Sequence, residues 1–387
     1  MLSSIQLANS YVTVDFGKFQ RNLQRVQSYL NFGTELMFTA KSNGYGHGLT
    51  ETALYAAEHC GIQKISTAMI LEAVELRQAG YAGFLMVLGG IPPAALPAVV
   101  EYDLVTACYN ADLAIRLNEL AGSAGKMLDI HLKIDSGMHR LGVTPGDELQ
   151  QLLDVLRKLP HLHIDGCFTH LANADEADQI VSNRQLDLFD QAIVQLHANG
   201  IEPRWLHTAG SDAVITCRRS HYNLVRPAAI LYGYDTAEGP FNRLGVEPVL
   251  SWHSVVTNIR TVKPGEAAGY SAFYQPKQET LLAIVGFGAS DGYLRSLVSK
   301  DPTQNGYVLI RGQKAPVVAI CMDQSFIDIS QIPSVKIGDP VTVLGTDEAL
   351  SVTAYDLKSL SHTTIGYVLA SISSRPPRIY VNSLTLI

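Results

Sequence analysis

Eight short β-branched segments alternate with longer helical patterns over residues 35–233, and this alternation constrains the fold more than any other feature. Apolar residues such as Leu152 and Leu156 recur at helical spacing between the strands. Eight strand-then-helix units in about 200 residues favour a parallel (β/α)8 TIM-type barrel over an open doubly wound sheet. The seventh helix has the weakest pattern. The predicted strands are 36–41, 64–69, 84–89, 103–108, 127–135, 162–170, 203–209 and 223–227.

The pattern changes after Asp235, where strands are joined by tight turns. Such a pattern predicts a mostly antiparallel β domain. We therefore predict two domains, a barrel over 1–235 and a C-terminal β domain over 236–387. The first strand, 10–16, comes before any barrel helix and is a candidate for pairing with the second domain.

Composition restricts the partners that such a chain can bind. Lys and Arg number 29 against 36 Asp and Glu, so the net charge is −7, and no block of like charges occurs. Nucleic acid and anionic membrane surfaces are therefore poor partners, and a small molecule is expected. Only 17% of residues are charged and 47% are hydrophobic, which suggests a surface shared with a second subunit.

No segment indicates a membrane span, a signal peptide or a metal centre. The longest uncharged apolar run, 84–100, contains too much glycine and proline for a spanning helix. The amino terminus lacks the basic and apolar regions of a signal peptide, so a cytoplasmic location is expected. The five cysteines show no CxxC spacing, and His161 and His163 have no evident third ligand, so no metal is expected.

Reactive side chains fall where the predicted barrel strands end. In TIM-type barrels the loops that follow the strands converge and carry the active site. Their coincidence at these strand ends predicts a site there. The residues are Lys41, Arg140, His170, Ser211 and Arg226.

Lys41 ends the first barrel strand, directly before SNGYGHG. A lysine there can be a solvated strand terminus or, if it loses hydration, a neutral amine that attacks an aldehyde as a Schiff-base nucleophile. Gly44, Gly46 and Gly48 would let the backbone pass close to a ligand, or would simply turn the chain into the first helix.

The segment AKSNGYGHG resembles the cofactor-lysine signature of the alanine racemase family, whose fold-type III enzymes depend on pyridoxal phosphate (PLP). The resemblance extends along nearly the whole chain and implies a PLP-binding barrel followed by a β domain. The other similar segments are LKIDSGMHRLGV (132–143), THLANADE (169–176), LHTAGSDAV (206–214), YNLVRPAAILYG (222–233), KPGEAAGYSAFY (263–274) and ICMDQSFIDI (320–329).

The resemblance implies a two-base reaction. Racemisation removes the Cα proton from one face and returns it on the other, and by similarity Lys41 and Tyr270 are the two bases. A free tyrosine has a pKa of about 10, and the family arrangement places His170 and Arg226 behind it. Because the family tyrosine reaches the barrel of the other subunit, a homodimer is implied. Arg226 resembles the residue that binds the pyridine nitrogen of PLP, an arrangement that disfavours transamination and decarboxylation.

The resemblance also implies the remaining contacts. Ser211 and the backbone amides of Ala228 and Ala229 match the family's phosphate site. Tyr45 resembles the tyrosine of the first loop whose hydroxyl contacts the phosphate. Arg140 resembles the arginine near the cofactor's phenolic oxygen and the substrate, and Lys133 stands where many members have a carbamylated lysine. Residues near the substrate or its access channel are Met322, Asp323, Asp175 and Arg295.

Four positions depart from the family pattern. Ser374 stands where a tyrosine is usual, Gly210 where asparagine is common, Ala319 where arginine is common, and Phe287 where a tyrosine is common. All four changes remove bulk or polarity and suggest a roomier pocket. Alanine racemisation is the expected activity, with a serine or broad-specificity racemase as the alternative. Another PLP barrel enzyme or a non-catalytic PLP-binding protein is less favoured.

Overall fold

The computed structural model describes residues 7–237 and 242–383, and these form two compact units. The barrel unit contains residues 19–44 and 49–247. The second unit contains the described residues up to Lys18, residues 45–48, and the chain from Pro248 onward.

The barrel unit is built on parallel strands that pair in chain order. The expectation of a (β/α)8 barrel followed by a mostly antiparallel β domain is confirmed, and each predicted barrel strand contains an observed one. The first barrel strand is interrupted once and is therefore described as β2 and β3. The strands are β2 (Glu35–Leu36), β3 (Phe38–Thr39), β4 (Lys64–Thr67), β5 (Phe84–Val87), β6 (Val105–Cys108), β7 (Leu128–Lys133), β8 (Leu162–Phe168), β9 (Trp205–His207) and β10 (Leu224–Val225).

Backbone hydrogen bonds join the last barrel strand to both its neighbours. The Met37 N–H donates to Val225 O at 2.9 Å, and the Arg226 N–H donates to Ala209 O at 2.8 Å. These bonds complete a ring of eight strands, so the residues that follow each strand meet at one end of the barrel.

Helices connect the barrel strands and bury an apolar stripe. In α7 (Asp147–Leu156), the buried residues Leu149, Leu152, Leu153 and Leu156 recur at helical spacing. The seventh helix of the barrel, α9 (Ser211–Thr216), has only six residues, as its weak pattern suggested. The helices are α1 (Phe16–Tyr29), α3 (Leu49–Cys60), α4 (Ile70–Gln78), α5 (Pro97–Glu101), α6 (Ala111–Ser123), α7 (Asp147–Leu156), α8 (Ile180–Ala198) and α9 (Ser211–Thr216), and the short segment α2 (Lys41–Tyr45) is a turn with left-handed backbone.

The second unit is a mostly antiparallel sheet. Its first strand, β1 (Ser10–Asp15), pairs antiparallel with β11 (Leu250–Val262) and parallel with β18 (Arg378–Val381). Because β16 (Pro340–Asp347) pairs with both β13 (Tyr307–Ile310) and β11, six strands close on themselves around an apolar interior. The other elements are β11 (Leu250–Val262), β12 (Thr280–Val285), β13 (Tyr307–Ile310), β14 (Gln313–Ile320), β15 (Ser325–Asp328), β16 (Pro340–Asp347), β17 (Leu350–Val352), β18 (Arg378–Val381), α10 (Ala354–Ser361) and α11 (Ile365–Ser371).

Within the described ranges, no helix has both the length and the apolar character that crossing a lipid bilayer requires.

Gly142 holds the loop that carries Arg140 against the end of β7. Its φ is +128°, and a Cβ there would overlap the Asp135 amide nitrogen. We expect Gly142→Ala to lower the free energy of unfolding by about 2–4 kcal/mol, measured by urea denaturation. Gly146→Ala is the matched control, because Gly146 also has a positive φ but has open space around it. Equal losses in the two variants would contradict this packing argument.

Candidate active site

Lys41 is followed by a run of left-handed backbone. Ser42, Asn43, Gly44, Tyr45 and Gly46 have φ of 57°, 52°, 57°, 51° and 78°. This conformation costs roughly 1–2 kcal/mol for each non-glycine residue, so its persistence over consecutive residues marks a strained segment. Strain of this kind clusters at functional sites.

Glu72 on α4 holds the backbone around Lys41. One carboxylate oxygen accepts the Ser42 N–H at 2.6 Å, and the other accepts the N–H groups of Ala68 and Met69 at 3.0 Å. Burial, assisted by the charge of Arg140, lowers the pKa of Lys41, whereas Glu72 opposes that shift. A larger fraction of the Lys41 amine is therefore neutral and nucleophilic than in an exposed lysine.

Arg226 is a buried guanidinium with protein acceptors on both terminal nitrogens. Nη2 donates to Thr169 O at 2.8 Å and Thr208 O at 3.1 Å, and lies 3.4 Å from His170 Nδ1. Nη1 lies 2.7 Å from His207 Nδ1. Burial lowers its pKa to about 9, with a further contribution from Arg140, so the group is cationic at neutral pH.

Basic groups crowd this end of the barrel. Lys133 Nζ and Arg226 Cζ lie 4.9 and 5.4 Å from the centre of the Phe168 ring. Burial, then the charges of Arg226 and Arg140, lower the pKa of Lys133 to about 7. Burial and the same neighbouring cations hold the pKa of His170 well below its usual value. Positive charge concentrated in this way fits an anionic ligand.

Ser211 and the turn after Arg226 form a polar loop pair. Ser211 Oγ accepts the N–H of Ala228 at 2.9 Å and that of Ile230 at 3.4 Å. The Ala228 amide, predicted to face a phosphate, is therefore bonded to Ser211. The Ala229 N–H has no acceptor among the described residues.

Tyr270 lies in the second unit, on a loop closed by Ala268 and Tyr274. These two residues exchange backbone hydrogen bonds of 2.9 and 3.1 Å. Gly269 (φ +79°) packs its backbone close to Ala319. The Tyr270 side chain is 73% exposed, so its hydroxyl is presented to solvent rather than packed in the core.

Met322 and Asp323 lie on the loop that joins β14 to β15, also in the second unit. A Cβ on Gly288 would overlap the Met322 carbonyl, so the close approach of these two backbones requires glycine. The Asp323 carboxylate forms an ion pair with Arg375, whose Nε lies 3.5 Å from Asp291 Oδ1. The loop is thus fixed by backbone packing and by charge.

The structure divides the predicted site residues between the units. Lys41, Lys133, Arg140, His170, Ser211, Arg226, Ala228 and Ala229 lie in the barrel unit with Asp175. Tyr45, Tyr270, Met322, Asp323 and Arg295 lie in the second unit. Arg295 stacks its guanidinium over Phe273, 4.4 Å from the ring centre, beside the loop that carries Tyr270.

The departures from the family pattern have different surroundings. Phe287 is fully buried against Trp252 and Tyr293, with ring centres 5.7 and 5.1 Å apart. It belongs to the core of the second unit, so the interpretation that it widens a pocket is wrong. Gly210 adjoins His170, because a Cβ there would lie 3.1 Å from His170 Cε1.

Two buried histidines escaped sequence reasoning. His207 bonds Arg226, and His131 Nδ1 lies 2.7 Å from His207 Nε2. His131 precedes Lys133 by two residues on β7, and alternate residues of a strand share a face. The two-residue spacing between His131 and Lys133 was therefore the sequence signal that could have identified His131 as part of the site.

Lys133 should make stability depend on pH. Because its folded pKa of about 7 lies below its usual 10.5, the unfolded chain binds more protons between these values, and the free energy of unfolding rises with pH. The slope from one such group is up to about 1.4 kcal/mol per pH unit. Urea unfolding from pH 7 to 9 in CO2-free buffer should show Lys133→Met losing this rise, whereas Lys158→Met keeps it. Parallel curves for wild type and Lys133→Met would contradict the shift.

Comparison with known proteins shows the class of this chain: a parallel barrel followed by an antiparallel β unit that belongs to an enzyme of the isomerase class. The family models described as "Alanine racemase, N-terminal domain" and "Alanine racemase, C-terminal domain" match residues 14–236 and 249–380. The chain belongs to the alanine racemase family.

Individual relatives agree over nearly the whole chain. Alanine racemase of Clostridium tetani is 32% identical over 373 residues, covering 96% of this chain and 95% of that protein. Alanine racemase of Halothermothrix orenii is 32% identical over 376 residues, covering 97% of each. The solved alanine racemase of Clostridium difficile 630 is 30% identical with a TM-score of 0.89, covering 97% of this chain and 96% of that one. These relatives give no support to the serine alternative.

Proposed function

We propose that this protein is an alanine racemase that interconverts L- and D-alanine with PLP as its cofactor. The observation that carries the proposal is the buried basic cluster at the end of the barrel strands, where Lys41 has a lowered pKa beside Arg140. An aldehyde cofactor with a phosphate needs such an amine and such a surplus of positive charge.

The residues present fit PLP. Lys41 would hold it covalently, Arg226 and Arg140 would bind its ring substituents, and His170 lies beside Arg226. Ser211, Ala228, Ala229 and Tyr45 are the candidates for its phosphate. When bound, PLP would draw electrons from the substrate Cα and make its proton acidic. A guanidinium does not give up its proton, so the pyridine nitrogen beside Arg226 would stay unprotonated and the ring would withdraw electrons less strongly. Arg226 would therefore favour return of the proton over other reactions at that carbon.

The two bases are proposed to be Lys41 Nζ and Tyr270 Oη. Lys41 can take or return a proton because burial reduces its basicity. Tyr270 can act on the opposite face if it comes from a second copy of the chain, and its exposure supports that role. We therefore propose a homodimer with shared sites, in which Arg140, Met322 and Asp323 contact the substrate.

Lys133 is proposed to be carbamylated. A lysine with a pKa of about 7 has a large neutral fraction at neutral pH, and only a neutral amine adds to CO2. The carbamate would place a negative charge among the cations that surround Lys133. Labelling with 13C-bicarbonate should give a carbamate NMR signal that Lys133→Met lacks.

The proposed function is tested by a chiral assay of the purified protein with PLP. L-Alanine should be converted to an equal mixture of enantiomers, at a higher kcat/KM than L-serine. Turnover of neither amino acid by PLP-loaded protein would overturn the proposal.

A further inference from the structure

Two buried histidines extend the hydrogen bonds of Arg226 into the barrel interior, and a buried carboxylate on the strand between them faces the second histidine. His207 on β9 lies 2.7 Å from Arg226 Nη1 through its Nδ1, and its Nε2 lies 2.7 Å from Nδ1 of His131 on β7. His131 Nε2 lies 3.6 Å from Oδ2 of Asp165 on β8. Both histidines are fully buried and Asp165 is nearly so.

The position of every proton in this series follows from Arg226. A guanidinium has only donors, so His207 Nδ1 must accept and the His207 proton must sit on Nε2. That N–H then donates to His131 Nδ1, which places the His131 proton on Nε2. The His131 N–H faces Asp165, and its Nε2 has no hydrogen-bond partner within 3.5 Å among the described residues.

Both rings are neutral. Burial first, and then the charge of Arg226, hold the pKa of His207 well below its usual value. Burial lowers the pKa of His131, although Asp165 opposes the shift. The His131 N–H, which faces Asp165 at 3.6 Å, lowers the pKa of this carboxyl, although burial opposes the shift. The series therefore has a cation at one end, a carboxylate at the other, and two oriented neutral rings between them.

The surroundings hold these rings in place. Gly166 on β8 lies opposite His131, and a Cβ there would come within 2.5 Å of the His131 ring. Phe168 stacks on His207 with ring centres 4.8 Å apart and an interplanar angle of 1°. A barrel layer of aliphatic side chains would avoid the cost of burying a carboxylate and two imidazoles. Unlike an aliphatic layer, His207, His131 and Asp165 connect to the Arg226 guanidinium by hydrogen bonds and charge.

We propose that His207, His131 and Asp165 are positioning residues that fix the orientation and the donor direction of the Arg226 guanidinium. This inference goes beyond the proposed function, and only its catalytic consequence rests on that function. With Nη1 held by His207 and Nη2 by the carbonyls of Thr169 and Thr208, the guanidinium plane cannot rotate. Asp165 does not touch the reacting groups, and it affects the reaction only by orienting the imidazole rings of His131 and His207.

The tautomers are tested directly by neutron diffraction from crystals of the full chain exchanged into D2O. Deuterium is expected on Nε2 of both His207 and His131, with Nδ1 of both rings bare. Deuterium on either Nδ1 would overturn the proposal. This result does not depend on activity, so it stands apart from failure of the alanine assay.

The positioning role is tested by variants at the far end of the series. Asp165→Leu removes the carboxylate that faces the His131 N–H, and we expect kcat to fall about tenfold and the PLP dissociation constant of the apoprotein to rise, with KM unchanged. Asp165→Asn keeps an acceptor oxygen and should restore both. Asp129→Leu is the matched control, because Asp129 pairs with the exposed His163 at 2.8 Å on the same two strands. Wild-type values in Asp165→Leu, or no rescue by Asp165→Asn, would overturn the proposal.

Discussion

Replacing Lys41 with alanine should lower racemisation by about a thousandfold or more. The substitution removes both the amine proposed to hold PLP and one of the two bases. Because burial and the charge of Arg140 both disfavour the charged form of Lys41, its removal should not reduce the free energy of unfolding.

The Lys41 prediction has a readout that does not depend on activity. Borohydride reduction of the PLP-loaded wild type should fix the cofactor to the peptide that contains Lys41, as detected by mass spectrometry. Lys64→Ala, at the opposite end of the neighbouring strand β4, should keep both the labelling and the activity. Labelling of a different lysine in the wild type would contradict the assignment.

Replacing Tyr270 with phenylalanine should lower racemisation by about a hundredfold to ten-thousandfold. The variant keeps Lys41, so it should still exchange the Cα proton of one enantiomer with D2O, although it no longer racemises it. Loss of both exchange and racemisation would mean that the role of Tyr270 is not limited to proton transfer at one face of the substrate Cα.

Tyr274→Phe is the matched control for Tyr270, because Tyr274 closes the same loop by backbone hydrogen bonds. It should racemise alanine at the wild-type rate. Tyr270→Phe should unfold at the wild-type temperature, since the Tyr270 side chain is mostly exposed. Full racemase activity in Tyr270→Phe would contradict the two-base mechanism.

The barrel could be predicted because its strands are buried on both faces and appear as continuous apolar runs. The short seventh helix, Ser211–Thr216, gave a correspondingly weak pattern. The second unit could be predicted from the tight turns between its strands. Which residues belong to it could not, because residues 45–48 are part of that unit although they lie only a few positions after Lys41.

The conformation after Lys41 could not be predicted. Glycines at 44 and 46 permit positive φ and Asn43 tolerates it, but Ser42 and Tyr45 have no such preference, and they adopt it in the folded chain. The same limit applies to Phe287, because the sequence does not show that its ring packs in a core with Trp252 and Tyr293.

The buried series behind Arg226 was missed for a related reason. His131 and Asp165 lie 34 residues apart, and His207 lies on a third strand, so only the pairing of β7, β8 and β9 brings them together. Strand alternation places His131 on the same face as Lys133, but it does not identify what that face contacts.

The central claim is that each site combines Lys41 of one subunit with Tyr270 of another, and mixing two inactive variants tests it most directly. Lys41→Ala and Tyr270→Phe are unfolded together and refolded, so that mixed dimers form. Every mixed dimer would contain one intact site, and random pairing predicts recovery of about a quarter of wild-type activity. No recovery, with mixed dimers verified by mass spectrometry, would contradict the shared site.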